Sequence, residues 1–429
     1  MSSSDILGPL FANHMRDKSY STARALWLAL RAGGFGVDAI ELLLQWRNEA
    51  KSPFDRVQIG IDMNFLGLYA EAGIAIAEGL DGNLSDDDLY LAKHELAFAL
   101  YGIGKFREAH SIYRSLRCAS SFKPLIKSLY PSEYQRNTEL FQKKFLNLDD
   151  SIAGKRVAVL YEGGIGDFMM YSRYLESMRL EGVEHVTIQR PDIVAGVLKP
   201  RSWLGEISGA NIEDILDNHD FVTWSFTLFA RYQDTPFYPP EPSSPWAQAA
   251  NAESLPTLIR EQLSDDPLDR KCLKIGILWR STNTNRCEPY RSLTLATLAP
   301  LLSQQGCQFY SIHVGGVTIE ERDLLDKHGV RDLGSHIENF SQTASVLDHL
   351  DLLIAPDTGP IHLAGAMGRP VWTLLSATAD TRWYNDQYFT PWYASMRLYR
   401  QNALGDWSLP LSNVARDLQD LISLRGVAA

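Results

Sequence analysis

Apolar positions repeat at helical spacing through the first third of the chain and then condense into short unbroken runs. Segments 23–31, 39–48, 58–78, 87–101, 106–117 and 132–145 carry the helical period with few β-branched residues, which predicts an all-α region ending near Asn147. At Lys155 the pattern changes. Residues 156–161 form an apolar run, Glu162 to Asp167 a glycine-rich turn, 168–179 a helical stretch and 186–189 a second run, together a βαβ unit of a parallel sheet. Residues 235–269, rich in Pro, Ser and Asp, read as a segment between domains. A second α/β set follows, with strands expected at 273–279, near 308–314, at 351–355 and at 371–375, and a last helix at 411–424. The domain boundaries expected from this pattern are 1–150, 151–260 and 271–429.

Residues 350–375, LDLLIAPDTGPIHLAGAMGRPVWTLL, compress a strand, a polar turn, a short helix and another strand into one stretch. Pro360 suits the first helical turn and Gly368 its end. Thr358 can cap that helix, leaving the amides around Gly359 and Ile361 to face a ligand above the carboxyl end of the sheet, where a diphosphate would sit well. His362, in the same turn, could donate to it. The plainer alternative is a capped helix with Asp357 in an Asx turn and His362 only packed.

The turn at Glu162 to Asp167 is not a dinucleotide fingerprint, because Met169 stands where the third glycine would be. Its Gly163, Gly164 and Gly166 would let a ligand approach the backbone. Asp167 lies at the start of the next helix, where the dipole favours a carboxylate able to accept a proton; a simple N-cap role is the alternative. Residues 280–292, RSTNTNRCEPYRS, occupy the same kind of position after the first strand of the second set. Their hydroxyls, amides and arginines could hold phosphate or sugar oxygens, or form a surface loop. Residues 382–401 are unusually aromatic, suited to stacking on a sugar or base or to packing the last helix, which is expected to cross back over the two domains.

Composition narrows the class. A length of 429 residues implies more than one core, and 45% hydrophobic with 22% charged residues describes a globular chain. A net charge of −11 argues against nonspecific binding to nucleic acid or anionic membrane. The sequence has no apolar run of membrane-spanning length and no signal-peptide pattern at its start, so cytoplasmic residence is the default expectation. Cys118, Cys272, Cys287 and Cys307 are widely spaced, which disfavours a metal site or a disulfide framework.

Within the helical region, residues 91–116 place Leu96, Ala97, Leu100, Gly104, Ala109 and Tyr113 at the spacing of a tetratricopeptide helix pair, which they resemble. One repeat cannot bury its own faces, so its neighbours are expected to be degenerate repeats or plain helices. Such helices present a concave surface to another protein or serve as a cap on the next domain.

Taken together, GGIGDFMMYSRYL, GILWRS, APDTGPIHLAGAMGRPVWTLL and RW followed by PWYASMRLYRQ resemble the tetratricopeptide-linked glycosyltransferases related to ADP-heptose:lipopolysaccharide heptosyltransferases, glycosyltransferase family nine. The resemblance covers roughly the last two-thirds of the chain. It implies an α/β fold of GT-B type: two Rossmann-like parallel-sheet domains facing a cleft, the first for the acceptor and the second for the nucleotide-sugar, after an all-α tetratricopeptide-like domain. It implies no metal and no cofactor beyond the nucleotide-sugar donor. Asp167 becomes the general base of an inverting displacement. Thr358, Gly359, Pro360, His362 and Ser292 meet the donor, Asp357 a sugar hydroxyl or its own loop, and Arg280 and Arg291 the departing nucleoside diphosphate. Ser281-Thr282, Glu288 and Thr381 depart from the family pattern, so ADP-heptose is not carried over as donor. The helices point toward a protein acceptor such as a flagellin or adhesin, with a lipopolysaccharide or other surface-glycan acceptor left open. A sugar-nucleotide epimerase and a non-catalytic helical-repeat adaptor are the competing readings.

Overall fold

The computed structural model describes residues 3–119, 121, 131–209, 211–233, 245–249, 255–264, 272–281, 290–384 and 388–424. Its helical part opens with α1 (Ser3–Arg16), α2 (Tyr20–Ala32), α3 (Gly36–Trp46), α4 (Pro53–Phe65), α5 (Tyr69–Leu80), α6 (Asp86–Gly102) and α7 (Phe106–Leu116). The single helix expected over residues 58–78 is two helices. Gly67, at φ +77°, ends α4 in a conformation that L side chains avoid, and the chain turns back into α5.

That turn occurs three times. Gly34, Gly67 and Gly104 have φ of 88°, 77° and 77°. The next residues, Phe35, Leu68 and Lys105, have φ of −92°, −84° and −83° with ψ of 58°, 55° and 58°. Their N–H groups donate to Leu30, Met63 and Leu100 carbonyls at 2.9, 3.0 and 2.8 Å, the six-to-one bond of a Schellman ending. Four residues further on, Ala39, Ala72 and Ala109 are fully buried where the paired helices meet. The pairs α2–α3, α4–α5 and α6–α7 are thus copies of one hairpin.

After the helix Pro131–Lys144, the chain forms a four-stranded sheet of β1 (Arg156–Leu160), β2 (His185–Gln189), β3 (Leu204–Ile207) and β4 (Phe221–Trp224). Its order is β3-β2-β1-β4 and every pairing is parallel. A seven-stranded sheet follows, built from β5 (Leu273–Ile277), β6 (Cys307–Ser311), β7 (Arg331–Asp332), β8 (Leu352–Pro356), β9 (Val371–Leu375), β10 (Phe389–Thr390) and β11 (Tyr393–Arg400). Its order is β10-β11-β9-β8-β5-β6-β7, parallel except for the β10–β11 edge pair. β8 is buried along its whole length, as an apolar strand covered on both faces must be.

Three expected boundaries shift. The helix after the glycine-rich turn begins at Ile165, so that turn supplies its first residues; it runs to Tyr171, passes through a 3₁₀ segment, and resumes as Leu175–Leu180. β5 stops before Trp279 and β6 stops at Ser311, where their chains leave the sheet toward the cleft.

The last helix, Ser408–Leu424, does not cross back over the first unit as expected but packs on β11 of its own sheet, held there by Tyr399 and Arg397. Tyr399 donates to Asp417 at 3.0 Å, Arg397 pairs with the same carboxylate at 2.7 Å, and Val414, Leu418 and Ile422 enter that sheet's core. Contacts between the two α/β units come from elsewhere. Arg173 donates to the Trp392 carbonyl at 2.6 Å, and the Trp246 amide donates to the Ala366 carbonyl at 3.1 Å. The helical array touches both units, through Tyr113 to the Phe226 carbonyl (3.4 Å), Tyr290 to the Arg31 carbonyl (2.9 Å) and Tyr69 to the Ala379 carbonyl (3.3 Å).

Candidate functional site

Parallel strands deliver their carboxyl ends to the same side of a sheet, and both suspect turns lie at such ends. After β1, Gly163 takes φ +82°, and a Cβ there would fall 2.6 Å from the Phe226 ring and 2.7 Å from Asp167 Oδ2. Gly164 is extended and caps the helix Ile165–Tyr171; its N–H donates to Asp167 Oδ2 at 2.7 Å. Asp167 therefore sits in the first turn and folds back over it, which satisfies one of the helix's unpaired donors.

After β8, Thr358 takes the extended N-cap conformation of the helix Gly359–Ala366. Its hydroxyl makes no cap bond, contrary to expectation; it donates to the Pro356 carbonyl at 3.1 Å. The Gly359 amide is thus left without a side-chain cap from Thr358, whereas the Ile361 amide, expected to face a ligand, donates to the Thr358 carbonyl at 3.2 Å. Asp357 is not in an isolated Asx turn. It accepts from His362 Nε2 at 3.1 Å and from the Trp383 indole at 2.8 Å. His362 Nδ1 lies 2.9 Å from the Tyr393 hydroxyl, and its ring stacks on Trp383 with centroids 5.3 Å apart. Burial pushes the Asp357 carboxyl up, but the His362 bond and charge, then Arg382 and the Trp383 N–H, hold it well below the usual carboxylate range.

The two helix starts abut. A Cβ on Gly166 would lie 2.7 Å from His362 Cδ2, and one on Gly359 would lie 2.8 Å from the Phe340 ring and 3.4 Å from Ile165. Only glycine allows this approach. Arg382 completes the junction: Nη1 donates to Asp167 Oδ1 at 2.5 Å and Nη2 to Asp380 at 2.9 Å. Asp380 in turn accepts from the Arg382 amide at 3.0 Å. Its own carboxyl, which burial alone would raise, is lowered by this guanidinium.

A cleft of about 870 Å³ lies over the junction. Gly163, Gly164, Gly166 and Asp167 line it from the first unit, and Arg280, Arg291, Asp357, Thr358, Gly359, Pro360 and His362 from the second. Ser292 is not among its lining residues. The Ser292 hydroxyl accepts from the Ser281 amide at 3.1 Å and so braces the base of the loop whose residues 282–289 fall outside the described set. Arg280 is partly committed, pairing with Glu321 and donating to the Gly316 carbonyl at 3.1 Å. Among the described residues no three His, Cys, Asp or Glu side chains gather as a metal site.

Sequence reasoning passed over several lining residues. Arg382 stood in the quoted RW pair, but its partner lies 215 positions away. Of the aromatic segment, Trp392 lines the cleft and donates to the Arg382 carbonyl at 2.8 Å, while Trp383 and Tyr393 are buried behind it and hold Asp357 and His362. The helical array contributes Phe98, Tyr101, Phe106 and Tyr113, an aromatic wall from α6 and α7.

Residues 334–404 match the family described as glycosyltransferase family 9 (heptosyltransferase). Protein FlbA of Caulobacter vibrioides is 24% identical over 299 residues, covering 63% of this chain and 47% of that protein. The chain therefore spans about half the length of this curated relative. Among solved structures, a glycosyl transferase family 9 protein from Veillonella parvula is similar at 13% identity, over 64% of this chain and 99% of that one, with a TM-score of 0.47. The E. coli ADP-heptose lps heptosyltransferase II is similar at 14% identity, over 63% and 99%, with a TM-score of 0.45. The matched segment holds Asp357 through His362 and Arg382, whereas Asp167 lies outside it; the glycosyltransferase family 9 (heptosyltransferase) match thus falls on the second-unit half of the cleft.

Proposed function

We propose that the protein is a metal-independent inverting glycosyltransferase with a GT-B arrangement, needing no cofactor besides a nucleotide-sugar donor. One observation carries the reading. Asp167, from the first α/β unit, stands across a single cleft from the helix start Thr358 to His362 of the second, with Arg382 joining the two. The Gly359 amide receives the donor diphosphate, as helix N-termini receive anions, while the Ile361 amide donates to the Thr358 carbonyl at 3.2 Å. Asp357 orients the sugar and is itself held by His362, whose two ring nitrogens bond Asp357 and Tyr393, and Arg280 and Arg291 stabilise charge on the leaving group. Asp167 takes the acceptor proton as the acceptor atom bonds to the anomeric carbon and that carbon's bond to the diphosphate oxygen breaks. Nucleoside diphosphate leaves, and the new bond forms on the opposite face.

The α6–α7 wall continues the cleft beyond Asp167, and the three like hairpins support a tetratricopeptide-like array that presents a protein acceptor. The family description favours a second reading for the acceptor, a lipopolysaccharide or other surface glycan. Incubation with a panel of nucleotide-sugars, with and without chelator, tests the activity. Release of nucleoside diphosphate from one donor, unchanged by chelator, is expected. Failure of every nucleotide to raise the melting temperature would remove the donor site from the account.

A further inference from the structure

We propose that Arg117, at the carboxyl end of α7, is a positioning residue for the catalytic turn; this rests on the role given above to Asp167. Arg117 Nη1 lies 2.9 Å from both carboxylate oxygens of Glu162, the residue that opens the turn after β1. The side chains are only 2% and 8% exposed. A buried ion pair is poor evidence of stabilisation, because removing two charges from water offsets much of their attraction and an apolar pair of similar volume often serves as well. Its geometric effect is the more informative property.

Arg117 reaches the turn by a second route. Its guanidinium lies over the Phe226 ring, 5.6 Å from the centroid, and that ring fills the space where a side chain at Gly163 would project. Tyr113, from the same helix, lies 5.0 Å beneath the guanidinium and donates to the Phe226 carbonyl. The turn itself is poor in side chains that could fix it, since Gly163, Gly164 and Gly166 have none. Its two acidic ends are held from outside: Glu162 by Arg117 of the helical array and Asp167 by Arg382 of the second unit. Because α7 also lines the cleft, a ligand seated against that helix is one ion pair away from the turn that carries Asp167.

The test compares wild type with Arg117→Lys, which keeps the charge but loses the planar fork, and with Arg117→Met combined with Glu162→Leu, which removes both charges. For each, kcat, donor KM, melting temperature and hydrogen exchange over residues 161–171 are measured. A displaced base predicts kcat lower by about tenfold to a hundredfold, with donor KM unchanged, melting temperature kept, and exchange faster only in the turn. Wild-type kcat and wild-type exchange in either folded variant overturn the proposal, as does failure of both variants to fold. Absence of turnover in the wild type overturns the glycosyltransferase reading instead, while the exchange data still decide whether Arg117 orders the turn.

Discussion

Arg382 Nη1 lies 2.5 Å from Asp167 Oδ1, so the carboxylate assigned as base is tied to the opposite α/β unit. The pair spans the junction at which the helix starts Ile165 and Gly359 abut. Arg382→Lys, which cannot span both Asp167 and Asp380 with a rigid fork, is expected to lower kcat by about tenfold or more. Arg382→Met leaves both carboxylates without their guanidinium and is expected to cost about 3 kcal/mol. Denaturant titration and steady-state kinetics of the two variants check this; equal loss of stability in both would argue against a distinct geometric role.

Acid sensitivity follows from the same cluster. Asp357 and Asp380 have carboxyls held below their ordinary range in the folded protein. Their contribution to stability is therefore fully present above the unfolded value of about 4 and is lost as pH falls from there toward the folded values. The melting temperature should decline below about pH 4, and Asp357→Asn should flatten that decline. Thermal melts across this range provide the check.

Gly166→Ala probes the abutting helix starts. Its Cβ meets His362, a stacked and doubly bonded ring, so the expected cost is about 1–3 kcal/mol with loss of donor affinity. Gly73→Ala in α5 meets nothing nearer than 3.8 Å and should be neutral or stabilising by up to about 1 kcal/mol. Melting curves and donor titrations of the pair separate close approach from a general intolerance of added methyl groups.

Gly104 tests the repeated hairpin turn. No atom lies within 4 Å of its missing Cβ, but its φ is +77°. Gly104→Ala is thus a backbone effect alone, expected at about 1–2 kcal/mol, and Gly104→Asn should cost less. Chemical denaturation measures both.

Much of this arrangement was legible in the chain because it is local. Short apolar runs followed by Gly, Pro, Asp and Thr marked both strand ends, and Asp167, Gly359 and His362 do meet in one cleft. What could not be read was pairing at long range. Nothing near Arg382 announces Asp167, and nothing near Arg117 announces Glu162. Ser292 fell outside the cleft because a loop's composition does not say which of its side chains turn inward. The break at Gly67 was hidden because Gly60 and Gly73 in the same stretch remain helical, and of the three only Gly67 takes a positive φ.

The most direct measurement is single-turnover transfer by Asp167→Asn with an active nucleotide-sugar and acceptor, alongside calorimetric donor binding. Asparagine keeps an oxygen for the Gly164 amide but cannot take a proton. Donor affinity should remain within a few-fold, while the transfer rate should fall by about 10²–10⁴. Full transfer by this variant, or donor binding lost in step with the rate, would contradict the assignment of Asp167 as the base.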